Sequence, residues 1–286
     1  LEEMNRKVAE SLPCLEEEGI HGADAVFACI GPALEVYSRY ERVETAGGEV
    51  IPLGNRNGQR GYLSYVWEAV AREALRMLFP EADPQGFEED ARVTALWLWT
   101  LMARANGTVA EEEAEEPEEE EGTTRGRVSG WALPYDDARL LIQALGADEA
   151  QLKRPGGILE IKGNKARLLS VMERRRYLLG QQEGGQAQKS GRRKAQPMLF
   201  AEMEAGEETP MAFKPGRTFL DRLHQAMLLF ADGSSEALRR FLVEEGYGKE
   251  PQFWRLADAL SRLYPASSRE KRLVDGLIAR RKSWGL

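Results

Sequence analysis

The sequence predicts a mainly α-helical protein with small β-hairpins, and three observations support this prediction. Apolar residues recur at helical spacing along most of the chain, beginning with Met4, Val8, Leu12 and Leu15. Two pairs of short apolar runs flank turns that contain glycine, which is typical of hairpins. Two stretches of biased composition interrupt the helical pattern. Together these patterns predict a helical N-terminal part, a winged-helix-like middle element and a C-terminal helical-hairpin bundle.

The two biased stretches set the predicted domain boundaries. Nine glutamates lie between Glu111 and Glu121, and such a run repels itself and cannot bury apolar surface. The second stretch is rich in Gln, Gly, Lys and Arg and contains three prolines. The predicted order is a helical domain with one β-hairpin (1–109), an acidic linker (110–127), a winged-helix-like element with a basic hairpin (128–180), a flexible linker (181–216) and a four-helix C-terminal bundle (217–286).

In the N-terminal part, glycine and proline mark the predicted element ends. Pro32 is expected in the first turn of its helix, where the missing N–H costs nothing. Trp97 and Trp99 indicate that the last helix is nearly surrounded by protein. The predicted elements are a helix over Glu2–Glu18, a helix from Pro32 to Tyr40, a hairpin formed by Arg42–Thr45 and Glu49–Leu53, and helices over Tyr62–Phe79 and Phe87–Arg104.

In the middle part, a helix, a short helix and a hairpin follow one another, which is the order of a winged-helix element. Lys162 and Lys165 would then lie at the tip of the wing. Glycine and proline separate four further helical patterns near the C-terminus, which favours a bundle. The predicted elements are helices over Pro134–Leu145 and Asp148–Leu152, strands over Gly157–Ile161 and Lys165–Leu169, a short basic helix over Glu173–Leu179, and helices over Phe219–Ala231, Ser235–Glu245, Pro251–Leu263 and Ser268–Lys282.

Composition excludes several classes of protein. The 286 residues are 42% apolar with a mean hydropathy of -0.48, which is ordinary for a globular chain. No run is long enough to span a membrane and no secretory signal is present, so a cytoplasmic location is expected. Cys14 and Cys29 rule out a disulfide scaffold and a Cys-only zinc site. The sequence contains only two histidines, His21 and His224, so few ligands are available for a metal ion. His224 is expected to be structural.

Charge is distributed unevenly along the chain, whose net charge is -8. Between Glu81 and Glu121 there are fourteen acidic and two basic residues, whereas Lys153–Lys194 contains twelve basic and three acidic ones. Such asymmetry indicates a surface for a polyanion, an internal acidic mimic of one, or both. The alternative is that both segments are simply solvated loops.

The sequence contains none of the common catalytic or cofactor motifs. A P-loop, H-E-x-x-H, C-x-x-C and G-x-S-x-G are all absent, and Gly54, Gly58 and Gly61 have the wrong spacing for a dinucleotide turn. Leu133–Asp136 is superficially similar to the Asp/Asn-Pro-Pro-Tyr loop of amino-methyltransferases, but it lacks the acidic or amide residue and the second proline. No catalytic, cofactor-binding or metal-binding residue is therefore predicted.

Three stretches nevertheless share a pattern with a known family. They are His21–Val43, which contains Ile30-Gly31-Pro32 and Ser38-Arg39-Tyr40; Asp90–Trp99 with the helix that begins at Tyr135–Ala138; and Asp221–Trp254 with the final helices. These stretches resemble the region that follows the catalytic domain in the large prokaryotic adenine-specific DNA methylases.

The resemblance implies a parent enzyme that transfers a methyl group from S-adenosylmethionine to the exocyclic amine of adenine in DNA. The family's cofactor loop and Pro-Pro-Tyr loop would lie upstream of Leu1. The expected role is therefore that of a non-catalytic C-terminal accessory region, with an upstream methylase catalytic domain and DNA as partners. S-Adenosylmethionine is expected only in the parent enzyme.

The first functional hypothesis is DNA engagement through the basic segment 153–194. Gly163 and Asn164 at the predicted hairpin tip allow the backbone to approach a groove closely. Six phosphate contacts would give a salt dependence with a slope of about -5. An alternative is that the tip carries lysine only because it is exposed. The candidate contacts are Lys162, Lys165, Arg167, Arg174, Arg175 and Arg176.

A second hypothesis is a helical protein-interaction scaffold without DNA contact, in a restriction-modification or phage-defence assembly. Its candidate contacts are Trp97, Trp99, Trp131 and Met198–Phe200, if these form an exposed apolar patch. The acidic run Glu111–Glu121 could additionally cover the basic hairpin until a partner displaces it. A third hypothesis, an enzyme of unrecognised type, would require a deep pocket with converging polar groups.

Overall fold

The computed structural model describes residues 1–106, 131–180 and 213–286, apart from positions 46 and 57, and for 103–106 it describes the backbone alone. The acidic linker, the segment Met198–Phe200 and most of the second linker lie outside the described residues. In the described part the protein is mainly helical, with one small antiparallel sheet.

Most of the N-terminal helices lie where the sequence predicts them, but the second helix differs. It begins at Gly22 rather than at Pro32, and Pro32 lies inside it. An internal proline removes a backbone hydrogen bond, yet burial of Ala25, Cys29 and Ala33 against neighbouring helices favours one continuous helix. The helices are α1 (Glu2–Glu17), α2 (Gly22–Arg39), α3 (Tyr62–Leu78) and α4 (Glu89–Asn106), with a 3-10 turn over Pro84–Gly86.

The hairpin expected around Ala46-Gly47-Gly48 is not a pair of strands. A single bridge joins Glu44 to Val50, and Ile51 N donates to Val43 O over 2.8 Å. The flanking segments lie at the surface, apart from Val43 and Ile51, so few side chains are available to stabilise longer strands.

The middle part contains a three-stranded antiparallel sheet in the order β1-β3-β2. Strand β1 (Ala132–Pro134) was not predicted, because three residues that include a proline give no alternating pattern. Proline is tolerated there because β1 is an edge strand. The other elements are α5 (Tyr135–Ala144), α6 (Glu149–Lys153), β2 (Leu159–Lys162), β3 (Lys165–Leu168) and α7 (Val171–Leu178).

The C-terminal helices follow the predicted positions closely. Thr218 caps the first of them, since its hydroxyl accepts a hydrogen bond from Asp221 N over 3.0 Å. The second helix changes to a π-helical segment over Arg240–Glu244. The elements are α8 (Phe219–Ala231), α9 (Ser235–Arg239), a 3-10 turn over Tyr247–Lys249, α10 (Pro251–Leu263) and α11 (Arg269–Ser283).

Buried side chains of all three described parts form one cluster, and α4 lies at its centre. This helix contacts α2, α3, α5, α8 and α10. Trp97 is fully buried on it, and the indole Nε1 donates to Trp131 O over 3.0 Å, just before β1. Helix α4 therefore fixes the sheet and the C-terminal helices relative to the N-terminal part.

Candidate functional site

The predicted basic tip lies at the exposed end of strands β2 and β3. Lys162 and Lys165 are register partners, and Gly163 between them has a φ of +56, which glycine adopts without strain. The Lys162 side chain is 77% exposed, and its Nζ lies 3.0 Å from Glu160 Oε1. Lys165 is also exposed and makes no ion pair within the described part of the chain. Two ammonium groups are thus presented side by side to solvent.

Arg167 lies behind the tip and is held by two carboxylates. Its guanidinium donates to Glu160 Oε2 and to both carboxylate oxygens of Glu173, over 2.6–3.1 Å. These contacts raise the pKa of Arg167, with the Glu173 hydrogen bond as the largest cause. Glu173 also completes a capping box with Ser170 at the start of α7. Arg167 therefore joins the hairpin to α7, and its charge is largely neutralised.

Helix α7 presents two further predicted residues in different environments. Arg175 makes a bidentate pair with Asp232, with both distances 2.7 Å, and the pairing raises the pKa of Arg175. Arg176 is exposed, and the next residue, Tyr177, is 56% exposed. An exposed aromatic ring next to an arginine offers both a stacking face and a positive charge. Of the two arginines, Arg176 is the better placed to contact a ligand.

Arg174 is not a surface residue, and the expectation that it contacts DNA is corrected. Its side chain is 1% exposed. The guanidinium donates to Asp221 Oδ1 over 2.5 Å, to Gly156 O over 3.0 Å and to Gly157 O over 3.2 Å. Consecutive residues of an α-helix point about 100° apart, so three in a row cannot share one face. Arg174 falls on the buried face of α7 with Val171 and Leu178, at i, i+3 and i+7 spacing.

Arg174 makes a further hydrogen bond to His224, in which Nη1 donates to Nδ1 of the imidazole over 2.6 Å. Arginine has only donors, so Nδ1 must be the unprotonated nitrogen, and the proton lies on Nε2, which is 3.3 Å from the Tyr264 hydroxyl. Burial and the nearby guanidinium both hold the pKa of His224 well below its usual range. His224 is therefore a neutral, structural histidine.

Asp90 and Thr218 extend this group, and the five residues are called the Arg174 cluster below: Arg174, Asp221, His224, Asp90 and Thr218. Thr218 Oγ1 donates to Asp90 Oδ2 over 2.6 Å and so joins α8 to α4. Burial raises the pKa of Asp90 to about 6. A cavity of about 310 Å³ adjoins the cluster, and Glu88 and Arg154 also line it. Because Arg174 is paired with Asp221, and Asp90 accepts hydrogen bonds from Thr218 and Ala91 N, the arrangement is that of a structural network.

The Arg174 cluster was not anticipated from the sequence, although one local signal was available. Thr218 followed by Asp221 just ahead of an apolar run is a helix-start signature. Nothing local connects Arg174 with His224, which lies 50 positions away, or with Asp90. Only the packing of α4, α7 and α8 brings these residues together.

The tryptophans proposed as partner contacts are mostly interior. Trp97 and Trp99 are buried, so neither contributes to an exposed patch, and that expectation is wrong for both. Trp99 Nε1 donates instead to Glu16 Oε1 over 2.8 Å, which joins α4 to α1. Trp131 is half-buried and lines an apolar groove of about 830 Å³ with Leu98 and Tyr264 among others.

Two other kinds of site are absent from the described ranges. Within residues 1–106, 131–180 and 213–286 there is no group of three or more His, Cys, Asp or Glu side chains that could hold a metal ion. None of the described helices combines the length and apolar character that crossing a membrane requires.

Comparison of the chain with protein-family models, with curated proteins and with solved structures found no match.

Proposed function

We propose that this chain is a non-catalytic accessory region of an adenine-specific DNA methylase and that it helps the enzyme to engage DNA. In this proposal the upstream catalytic domain binds S-adenosylmethionine and performs methyl transfer in the cytoplasm. The chain itself contributes a positively charged surface that contacts the DNA backbone.

The observation that carries the proposal is the exposed pair Lys162 and Lys165 at the hairpin tip. Ammonium groups on adjacent strands can contact neighbouring phosphates, and the glycine between them permits close approach. Exposed Arg154 and Arg176 extend the positive charge on the same module, whereas Lys153 is paired with Glu149 over 2.9 Å.

The order of elements gives the proposal further support. Strand β1, helices α5 and α6 and the β2–β3 hairpin follow one another, and β3 is the central strand. We interpret this order as a winged-helix-like module with the hairpin as its wing. Helix α6 has only five residues, so in this proposal the wing carries more of the contact than the helix.

Fewer phosphate contacts are expected than the sequence suggested. Arg174 is buried, and the charges of Arg167 and Arg175 are already paired. Lys162 also pairs with Glu160, but its side chain is 77% exposed and such a pair is weak enough to exchange for a phosphate. With Lys165 and the exposed Arg176, about three contacts are expected, so the logarithm of the binding constant should fall with the logarithm of salt concentration with a slope of about -3.

Duplex binding by the whole chain across a salt series tests the proposal. Replacing Lys162 and Lys165 by alanine should weaken binding at low salt and reduce the slope by about 2. The matched control is the double variant Arg239→Ala and Lys282→Ala, which removes the same charge from exposed positions on α9 and α11. Salt-insensitive binding, or an equal effect of both double variants, would contradict DNA engagement through the hairpin.

The alternative proposal, a protein-interaction scaffold, now depends on the apolar groove lined by Leu98, Leu101, Met102 and Trp131. It predicts that the chain binds the methylase catalytic domain but no DNA. Substitution of Leu101 by aspartate should then abolish association with the catalytic domain and leave any duplex binding unchanged.

A further inference from the structure

The loop residues 54–56 and 58–61 lie beside helix α3 and are called the platform below. Gly61 N donates to Asn55 Oδ1 over 2.7 Å, and Gln59 Nε2 donates to Val50 O over 2.6 Å. A Cβ on Gly61 would lie 2.2 Å from the carbonyl carbon of Gly54, so the two ends of the loop touch. The loop is therefore closed at its base and braced from within.

This platform carries two arginines. The loop sequence contains Arg56 and Arg60 and no acidic residue. Arg60 is held in place, because its Nη2 donates to Glu68 Oε2 over 2.6 Å and its guanidinium lies 4.5 Å from the centre of the Tyr65 ring. Arg56 is exposed and makes no ion pair within the described part of the chain. One guanidinium is thus fixed and the other is available for an anion.

A cavity of about 530 Å³ lies between this platform and the C-terminal end of α5. Trp67 from α3, Gln143 from α5 and Asn55 from the loop line it, together with Arg60, and no carboxylate does. The indole N–H of Trp67 and the side-chain amide of Gln143 form no hydrogen bond within the described part of the chain. Asn55 uses its oxygen towards Gly61 and Ser64, which leaves its amide nitrogen as a donor.

These groups suit a planar polar ring that carries an anion. An indole offers a stacking face, amides can pair with the edge of a base, and arginine binds phosphate. The volume lies within the usual range of small-ligand sites. The lack of carboxylates at the lining disfavours a cationic ligand.

We propose that this cavity receives one unstacked nucleotide, with the base against Trp67 and its phosphate at Arg60, which lines the cavity. Arg56 lies on the same loop outside the lining and would contact a flanking phosphate. This inference rests on the proposed function, because the nucleotide would belong to the DNA strand that the chain engages. It names a second contact, separate from the hairpin tip, at which an unpaired base is preferred.

The position of α5 allows one DNA molecule to reach both contacts. Tyr135 N, at the first residue of α5, donates to Asn164 O in the hairpin turn over 3.0 Å. Gln143 lies eight residues further along the helix, which is about 12 Å along the axis. Stacked nucleotides in one strand advance by about 3.4 Å, so three to four of them span this distance.

The test measures binding of the whole chain to a labelled single strand, to a paired duplex and to the same duplex with one unpaired base. Trp67→Leu should weaken binding to the single strand and to the unpaired-base duplex about tenfold, with little change for the paired duplex. Trp67→Phe should retain most of the affinity. Gln143→Ala, at an exposed position that tolerates alanine, provides a second variant if Trp67→Leu fails to fold. Trp284→Leu, at a half-buried tryptophan outside the cavity, is the control.

The outcomes separate this inference from the proposed function. Both proposals are supported if the two variants lose different functions. The Lys162→Ala and Lys165→Ala double variant should then lose binding to the paired duplex, and Trp67→Leu should lose only the preference for an unpaired base. A second outcome is that the chain binds deoxyadenosine monophosphate but no single strand, and that Gln143→Ala weakens this binding. That outcome assigns the cavity to a free nucleotide instead of a strand. Unchanged binding of single strand and mononucleotide in both cavity variants overturns the inference and leaves the hairpin proposal standing.

Discussion

At the scale of single residues, Arg174 fixes the position of helix α7. Its guanidinium donates to Asp221, His224 and two backbone carbonyls while almost fully buried. Replacing it by methionine leaves Asp221 without its partner in a poorly solvated site. We expect Arg174→Met to lower the free energy of unfolding by about 3–5 kcal/mol in a denaturant titration.

Arg175→Met provides the comparison for that substitution, because it removes a neighbouring arginine whose pair with Asp232 is part-exposed. Its cost should be at most about 1 kcal/mol. Equal losses of stability in the two variants would show that the buried network contributes no more than the surface pair.

Asp90 makes stability depend on pH in the direction opposite to most carboxylates. Burial raises its pKa in the folded protein to about 6 from 3.8, so the folded state binds its proton more tightly than the unfolded state. The protonated Asp90 therefore stabilises the folded state fully below about pH 4, and this stabilisation is lost as the pH rises through about 6. The total is about 3 kcal/mol.

Asp90→Asn isolates this contribution, because the amide resembles the protonated acid while Asp221 and Arg174 remain in place. The variant and the parent chain should be about equally stable near pH 4. The variant should be more stable by about 3 kcal/mol near pH 7, measured by urea unfolding across the pH series. A difference that stays constant with pH would refute the raised pKa.

At the scale of elements, α2 contains two glycines at which alanine should have effects of very different size. Gly22 has a φ of +59, and a Cβ there would lie 2.5 Å from Trp99 O. Gly22→Ala should therefore cost at least about 2 kcal/mol. A Cβ on Gly31 would meet nothing within 4 Å beyond its chain neighbours, but the ring of Pro32 disfavours helical backbone for a preceding residue that carries a Cβ. The helix propensity of alanine and this restriction oppose each other, so Gly31→Ala should change stability by less than about 1 kcal/mol. Thermal unfolding of both variants checks the pair, and equal losses of stability would contradict the close packing of α2 on α4 at Gly22.

Elements were predictable where local signals decide them. Helices α8 and α10 begin and end at the predicted residues, because Thr218 caps the first and Pro251 occupies the first turn of the second. Strand β1 and the continuation of α2 through Pro32 depend on partners distant in sequence, so no local pattern reveals them. In these cases tertiary burial overrides local preference.

The same distinction holds for the candidate site. Lys162 and Lys165 were identifiable because a glycine turn between two apolar runs fixes which residues lie at its tip. The burial of Arg174 could not be predicted from the sequence, because its partners lie on α8 and in the turn before β2. The cavity beside Trp67 likewise arises from the approach of α5 to a loop some 80 positions earlier.

At the scale of the whole molecule, α4 links parts of the chain that the sequence separates by biased segments. Asp90 accepts a hydrogen bond from Thr218, and Glu88 accepts one from Phe219 N over 3.1 Å. Trp131 also packs on Tyr264, with 5.6 Å between ring centres. Because breaking these contacts would expose buried faces on both sides, α4 and α8 should open in a single cooperative step.

Amide hydrogen exchange of the whole chain measures this coupling. Protected amides in the centres of α4, α8 and α10 should share the same opening free energy, equal to that of global unfolding, under conditions where exchange reports equilibrium opening. The exposed amide of Gly47 provides a fast-exchanging internal reference. Arg174→Met should lower the opening free energy of α4 and α8 by the same amount, because its cluster touches both helices. If α8 and α10 opened at a much lower free energy than α4, the C-terminal helices would be an independent folding unit, and the burial of Arg174 would not determine how the basic hairpin is presented.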